Sequence, residues 1–136
     1  ADSSKDINRI IIGNKDAKIS IIAYESLTCS HCANFHINVL PDLKKDFIDK
    51  GLAKIEFRHF PLDIAAFNAS KIAQCKNDGN SDILNTLYLN QPKWIKGKTS
   101  VVNVSIKSTS LLDCVPKLYN FNPGANSIIG LFALAF

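Results

Sequence analysis

Three consecutive stretches of the chain keep three different periods, and together they set its framework. Lys18-Ile19-Ser20-Ile21-Ile22-Ala23-Tyr24 is β-branched and nearly continuously apolar, the composition of a strand buried on both faces. Beyond it, Phe35, Val39, Leu40, Leu43, Phe47 and Ile48 draw one apolar stripe on a helix running from Ala33 to about Ile48. Pro41 falls inside that stripe, where it removes a backbone donor and clashes with the carbonyl of Ile37. Because the stripe continues in phase, the sequence predicts a kink there rather than a stop. Gly51 ends the segment, and Ala53-Lys54-Ile55-Glu56-Phe57-Arg58-His59-Phe60 then alternates with the period of a strand up to Pro61. Strand, long helix, strand is a βαβ unit. A right-handed crossover makes its two strands parallel neighbours and puts the connection after the first strand at the carboxyl edge, where open α/β sheets place their sites.

That connection holds Cys29-Ser30-His31-Cys32. The first N–H groups of a helix have no partner within it, and the macrodipole adds roughly half a positive charge there, so a thiolate is favoured over a thiol. Cys29 is then the acidic, exposed sulfur, and Cys32, one turn deeper, is within reach to close a small disulfide ring. The pair reads as a redox switch. Two other readings of the same residues are a structural disulfide and half of a zinc site, but no second CxxC is present. A cluster of Cys29, His31, Cys32 and His36 would suit copper or zinc, although one helix start seldom supplies a closed four-ligand shell. His36 and His59 read as packing or surface residues, and Trp94, Tyr88 and Phe67 as core or surface aromatics; exposed aromatics near the cysteines would suit unfolded, apolar substrates.

At 136 residues the chain is long enough for one domain with a core and too short for two ordinary ones. Its 46% hydrophobic and 21% charged residues argue against disorder. The net charge of +4 comes from scattered lysines, a solvated surface rather than a nucleic-acid stripe. Methionine is absent, at position 1 as elsewhere, and the start Ala1-Asp2-Ser3-Ser4-Lys5 is small and polar, so the expectation is a chain from which a leader has been removed. Four cysteines fit an oxidising compartment. Ile7 and Ile10–Ile12 predict a short first strand, closed by the turn Gly13-Asn14-Lys15-Asp16. After Leu62 the pattern turns helical: Ile64 to Cys75, a polar break from Lys76 to Asn80, a helix from Asp82 to Leu89 capped by Ser81, and a turn at Pro92. Thr99 to Ile106 reads as strand by composition and helix by position, and Ser110 would cap a short segment holding Leu111, Leu112 and Cys114. The closing run Ile128 to Phe136 is apolar and too short to span a bilayer, which leaves a buried strand, an oligomer contact or the stump of something longer.

The stretches Ile12-Gly13-Asn14-Lys15-Asp16-Ala17, Leu27-Thr28-Cys29-Ser30-His31-Cys32-Ala33-Asn34-Phe35-His36 and Phe57-Arg58-His59-Phe60-Pro61-Leu62-Asp63 resemble the DsbA-like thiol:disulfide oxidoreductases of the thioredoxin superfamily. The resemblance covers roughly residues 10 to 75. It implies an α/β, thioredoxin-like fold with a helical insertion and a short or incomplete C-terminal part: a βαβ half over 1–62, the insertion over 63–116 and an apolar return segment over 117–136. It implies that Cys29 is the attacking and attacked sulfur, Cys32 the buried resolving sulfur, and His31 the residue that stabilises the Cys29 thiolate. No cofactor or metal is implied. Some relatives carry a second disulfide in the helical part, for which Cys75 and Cys114 are the candidates; two buried free cysteines are the alternative. Three departures stand out. Ser30 replaces the usual proline after the first cysteine. Ala23 stands where an acidic residue often precedes that cysteine by six positions, and Glu25, two further on, is not counted in its place. The cis-proline loop that should face the disulfide has only Val115-Pro116 or Asn122-Pro123 to supply it. The activity implied is donation of a disulfide to reduced, unfolded proteins in the periplasm or another oxidising envelope compartment, with a membrane or soluble thiol oxidoreductase as the reoxidising partner. The alternatives are a reductase or isomerase, and a metal-binding or chaperone-like module without the full redox cycle.

Overall fold

The computed structural model describes residues 7–95. Three strands, β1 (Ile10–Ile12), β2 (Ile19–Glu25) and β3 (Ala53–His59), lie in the order β1-β3-β2. β2 and β3 are parallel, with Ile21 opposite Ile55 and Glu25 opposite His59. β1 runs antiparallel to β3, Ile10 opposite Phe57. The βαβ unit is as expected, and its alternation is clearest in β3, where Ala53, Ile55 and Phe57 face inward and are nearly inaccessible. β2 differs from the expectation. Ile19, Ile22 and Tyr24 are exposed, the last at 61%. Ile21 and Ala23 pack against the core while Ile22 and Tyr24 on the opposite face are exposed, so among the described residues the apolar run is covered on one face only.

The connection between β2 and β3 is helical throughout but not uniformly α. α1 (Ser30–Asn34) passes into a π-helical turn at Phe35–Val39, then α2 (Leu40–Leu43), then a second π-helical turn at Lys44–Ile48. Pro41 explains the first change. The Leu40 N–H reaches back to the Phe35 carbonyl, five residues away, so the proline falls in the opening turn of α2, where a missing donor costs little. The kink expected at Pro41 is thus a local widening ahead of it.

At Gly13, φ is +111°, and an added Cβ would lie 2.9 Å from the Ala53 carbonyl and 3.0 Å from Lys54 Cα. Only glycine lets the chain turn there against β3.

Three helices follow: α3 (Ile64–Ala73), α4 (Asp82–Leu89) and α5 (Gln91–Trp94). Asp63 caps α3, its carboxylate accepting the Ala66 N–H at 2.7 Å. Ser81 does not cap α4 through its side chain; the Asn80 side-chain oxygen takes the Asp82 N–H instead, at 2.8 Å. Pro92, expected at a turn, stands inside the first turn of α5, a position that tolerates proline. Leu84, Leu87, Tyr88 and Trp94 from these helices join Ile10, Leu27, Ile55 and Phe57 in one core. The Trp94 indole N–H donates to the Leu87 carbonyl at 2.8 Å, so its polar atom is satisfied inside that core. The expectations for Thr99–Ile106, Ser110, Cys114, Pro116, Pro123 and the closing apolar run lie outside the described residues.

Candidate active site

β2 ends at Glu25, and after four intervening residues the chain enters α1. Cys29 is the N-cap, with extended backbone (φ −78°, ψ 119°), and its side chain makes no capping bond of its own. The main-chain N–H of Cys32 is the largest influence on its sulfur and favours the thiolate; the Cys32 side chain and the His31 N–H add to it, and the Cys29 pKa falls below its ordinary value of 9.0. Cys32, one turn into the helix, packs against the core. Burial is the main reason its pKa is pushed up to about 11, and the neighbouring Cys29 sulfur adds to the rise. Two chemically identical residues three positions apart therefore differ in acidity in the sense that thiol exchange requires. Both are half-buried free cysteines. Cys29 is thus less open than the sequence suggests. His31 is exposed, its main-chain N–H turned toward Cys29, and it lines a cavity of about 320 Å³ with Ala23, Glu25, Cys32 and Phe35.

Glu25 is the residue the sequence reading set aside. It is 7% exposed, and its carboxylate is 2.7 Å from Nε2 of His36, whose side chain is 1% exposed. The other ring nitrogen of His36 is 3.1 Å from the Asn85 side-chain oxygen on α4. The ring stacks on Tyr88, centroids 4.1 Å apart, and lies 4.9 Å from Phe57. His36 is a packing residue, as expected, and also half of a buried acid–base pair with Glu25, which shares the cavity with Cys32. Two positions along a strand returns to the same face, so Glu25 occupies the face of Ala23 one step nearer the cysteines.

The loop between β2 and α1 is held from outside. The Thr28 hydroxyl donates to Asp63 at 2.7 Å, and the Leu62 N–H donates to the Ser26 hydroxyl at 3.3 Å. The Gln91 amide donates to the carbonyls of Leu27 and Cys29, at 2.7 and 3.0 Å. Leu62 and Asp63 belong to a stretch that carries the resemblance, but nothing in the sequence ties them or Gln91 to this loop, because the contacts are long-range.

The copper or zinc cluster has no geometric basis: among the described residues no three metal-binding side chains converge, and both His36 nitrogens are engaged. Cys75 is disulfide-bonded. Its expected partner, Cys114, lies outside the described residues. Trp94 and Tyr88 are buried rather than presented to a substrate; the exposed apolar residues beside the site are Tyr24, Phe60, Leu62 and Ile64.

A parallel βαβ unit with an asymmetric dithiol at the start of its helix defines a thioredoxin-like protein of the DsbA kind. A family model described as thioredoxin matches residues 5–120, and the chain belongs to that family. The "Putative protein-disulfide oxidoreductase" of Rickettsia bellii is 35% identical over 120 residues, covering 87% of this chain and 43% of its own length. Disulfide bond formation protein D of Bacillus subtilis is 34% identical over 94 residues, 62% of this chain and 42% of that protein. The crystal structure of α-DsbA1 from Wolbachia pipientis superposes with a TM-score of 0.63 at 28% identity, over 93% of this chain and 64% of that one. The chain spans less than half the length of these curated relatives.

Proposed function

We propose that the chain acts as a thiol:disulfide oxidoreductase that donates the Cys29–Cys32 disulfide to reduced, unfolded proteins in an exported, oxidising compartment. The observation that carries this reading is the placement of Cys29 at the N-cap of α1 with Cys32 one turn deeper against the core, which sets the acidities of the two sulfurs in opposite directions. A substrate thiolate attacks Cys29 Sγ, the Cys29–Cys32 bond breaks, and Cys32 leaves with the electron pair. Burial, the largest influence on the Cys32 thiol, then favours its protonated form, which makes reversal slow. A second substrate thiolate attacks the substrate sulfur of the mixed disulfide, and Cys29 leaves as its stabilised thiolate. The substrate is oxidised by two electrons and the dithiol reduced by two. In the reverse direction Cys32, deprotonated, is the resolving sulfur.

In this reading Glu25, paired with His36, passes a proton taken from solvent to Cys32 across the cavity that Glu25 and Cys32 both line, and His31 acts on Cys29 from the helix start. Leu62, whose N–H meets the Ser26 hydroxyl, and Phe60, whose N–H meets the Glu25 carbonyl, offer exposed apolar surface next to the β2–α1 loop for unfolded chain. A thiol oxidoreductase, in the membrane or soluble, would restore the disulfide.

The test is to mix the oxidised protein with a reduced, unfolded polypeptide carrying two cysteines and to follow both by thiol trapping and mass. Stoichiometric transfer is expected. Cys29→Ser abolishes it, and Cys32→Ser, offered a substrate disulfide, accumulates the mixed disulfide. Transfer that survives Cys29→Ser overturns the proposal.

A further inference from the structure

Gln91 is 6% exposed, lies at the start of α5 and is far from Cys29 in sequence, yet its side-chain amide meets the loop that presents the sulfur. One amide nitrogen donates to two carbonyls, that of Leu27 at 2.7 Å and that of Cys29 at 3.0 Å. The Cys29 carbonyl also accepts the Ala33 N–H at 3.1 Å, the first bond of α1, and the Ser26 carbonyl accepts the Cys29 N–H at 3.0 Å. The Thr28 side chain is held by Asp63. Each residue from Ser26 to Cys29 is therefore tied, and Gln91 supplies the ties to two of the peptide planes. Leu27, between the strand and the cysteine, is fully buried, so the loop has an apolar anchor but no direction from it. Ser30 restrains no backbone dihedral as a proline ring would. The angle at which Cys29 enters the helix must then be fixed by partners of its carbonyl.

We infer that Gln91 is a positioning residue for disulfide exchange: its two amide hydrogens hold the Leu27 and Cys29 peptide planes and so aim the Cys29 sulfur at the main-chain N–H groups that begin α1. The inference rests on the function proposed above, since only an exchanging sulfur needs that aim. The pull of an N–H dipole on a sulfur anion depends on direction, so a loop freed to rotate weakens the hold of the Cys32 and His31 N–H groups on the thiolate. Gln91 lies in the helical part of the chain, which thereby takes part in tuning a sulfur carried by the βαβ part.

Gln91→Met keeps the length of the side chain and removes both donors. The reading is the pH midpoint of Cys29 thiolate absorbance in the reduced protein, taken alongside thermal unfolding. The midpoint is expected to rise by about one unit, a roughly tenfold loss of thiolate where the group is mostly protonated. A lowered unfolding temperature with the midpoint unmoved would show a structural role alone and overturn the inference. The wild-type protein provides a second reading that needs no variant. By NMR, the two Gln91 amide hydrogens should be inequivalent, protected from exchange and shifted when the dithiol is oxidised; free exchange with no response to the sulfurs overturns the inference as well. Neither measurement uses a substrate. If disulfide transfer fails while the midpoint moves, the proposed function is at fault and the positioning role stands.

Discussion

At the residue scale the site is a contrast between two sulfurs, and the contrast has a sign in the pH dependence of stability. Below pH 9, unfolded Cys29 keeps its proton while the folded residue, its pKa lowered by the N–H groups of Cys32 and His31, sheds it. Its contribution is complete above the ordinary value of 9.0 and is lost as pH falls through the folded value. Cys32 works the other way. Between 9.0 and about 11 the unfolded residue ionises while burial keeps the folded one protonated, so stability falls as pH rises through that window. The reduced protein, compared with its own Cys29→Ala and Cys32→Ala variants by denaturant unfolding across pH about 6 to about 11, should show the first contribution growing toward pH 9 and the second turning negative above it. Equal slopes in all three proteins would contradict the assignment. The Glu25–His36 pair gives a second prediction. His36→Ala removes the ring stacked on Tyr88 and leaves the Glu25 carboxyl buried without its partner, at an expected cost on the order of 3 kcal/mol in denaturant unfolding. Glu25→Gln keeps the shape and should slow disulfide transfer while leaving the Cys29 thiolate midpoint nearly unmoved. The cysteines were legible because CxxC at a helix start is a pattern in adjacent residues. Glu25 was legible in principle through the two-residue period of β2, and was missed because its partner His36 lies a helical segment away.

At the element scale, periodicity identified the three strands and the main helices, because each buries a face whose spacing the sequence carries. It did not reveal the π-helical turns, since a stripe at steps of three and four looks the same whether one turn is widened or not. It placed the N-cap of α4 at Ser81 correctly but not the side-chain bond, which Asn80 supplies to the Asp82 N–H. It overstated the burial of β2, because composition reports how apolar a strand is and not what lies against it. Two substitutions test the elements. Gly13→Ala forces a Cβ against the Ala53 carbonyl at a φ of +111°, with an expected loss on the order of 1–3 kcal/mol in thermal or denaturant unfolding. Asp63→Ala removes the cap of α3 and the acceptor of the Thr28 hydroxyl together. A stability loss of about 1 kcal/mol is expected from the cap. The same variant should raise the Cys29 thiolate midpoint, an effect absent if α3 and the loop are independent.

At the scale of the whole molecule, one core joins the sheet to the helices that follow it, and the active loop is held where the two meet. Ser26 and Thr28 reach the start of α3, and Gln91 reaches back from α5. The helical part is thus more than an addition to the βαβ unit. That arrangement could not be read from the sequence, which shows a dithiol motif and a run of helices but no contact between them. We propose that this framework favours the reduced dithiol, by stabilising the Cys29 thiolate, enough to make the disulfide an oxidant. Equilibration of the Cys29–Cys32 pair with glutathione, read by thiol trapping and mass with Cys75 followed separately, tests it most directly. A reversible couple is expected well above the roughly −270 mV of thioredoxin, toward the roughly −120 mV of DsbA. A potential at or below the thioredoxin value, or no reversible couple, would contradict it.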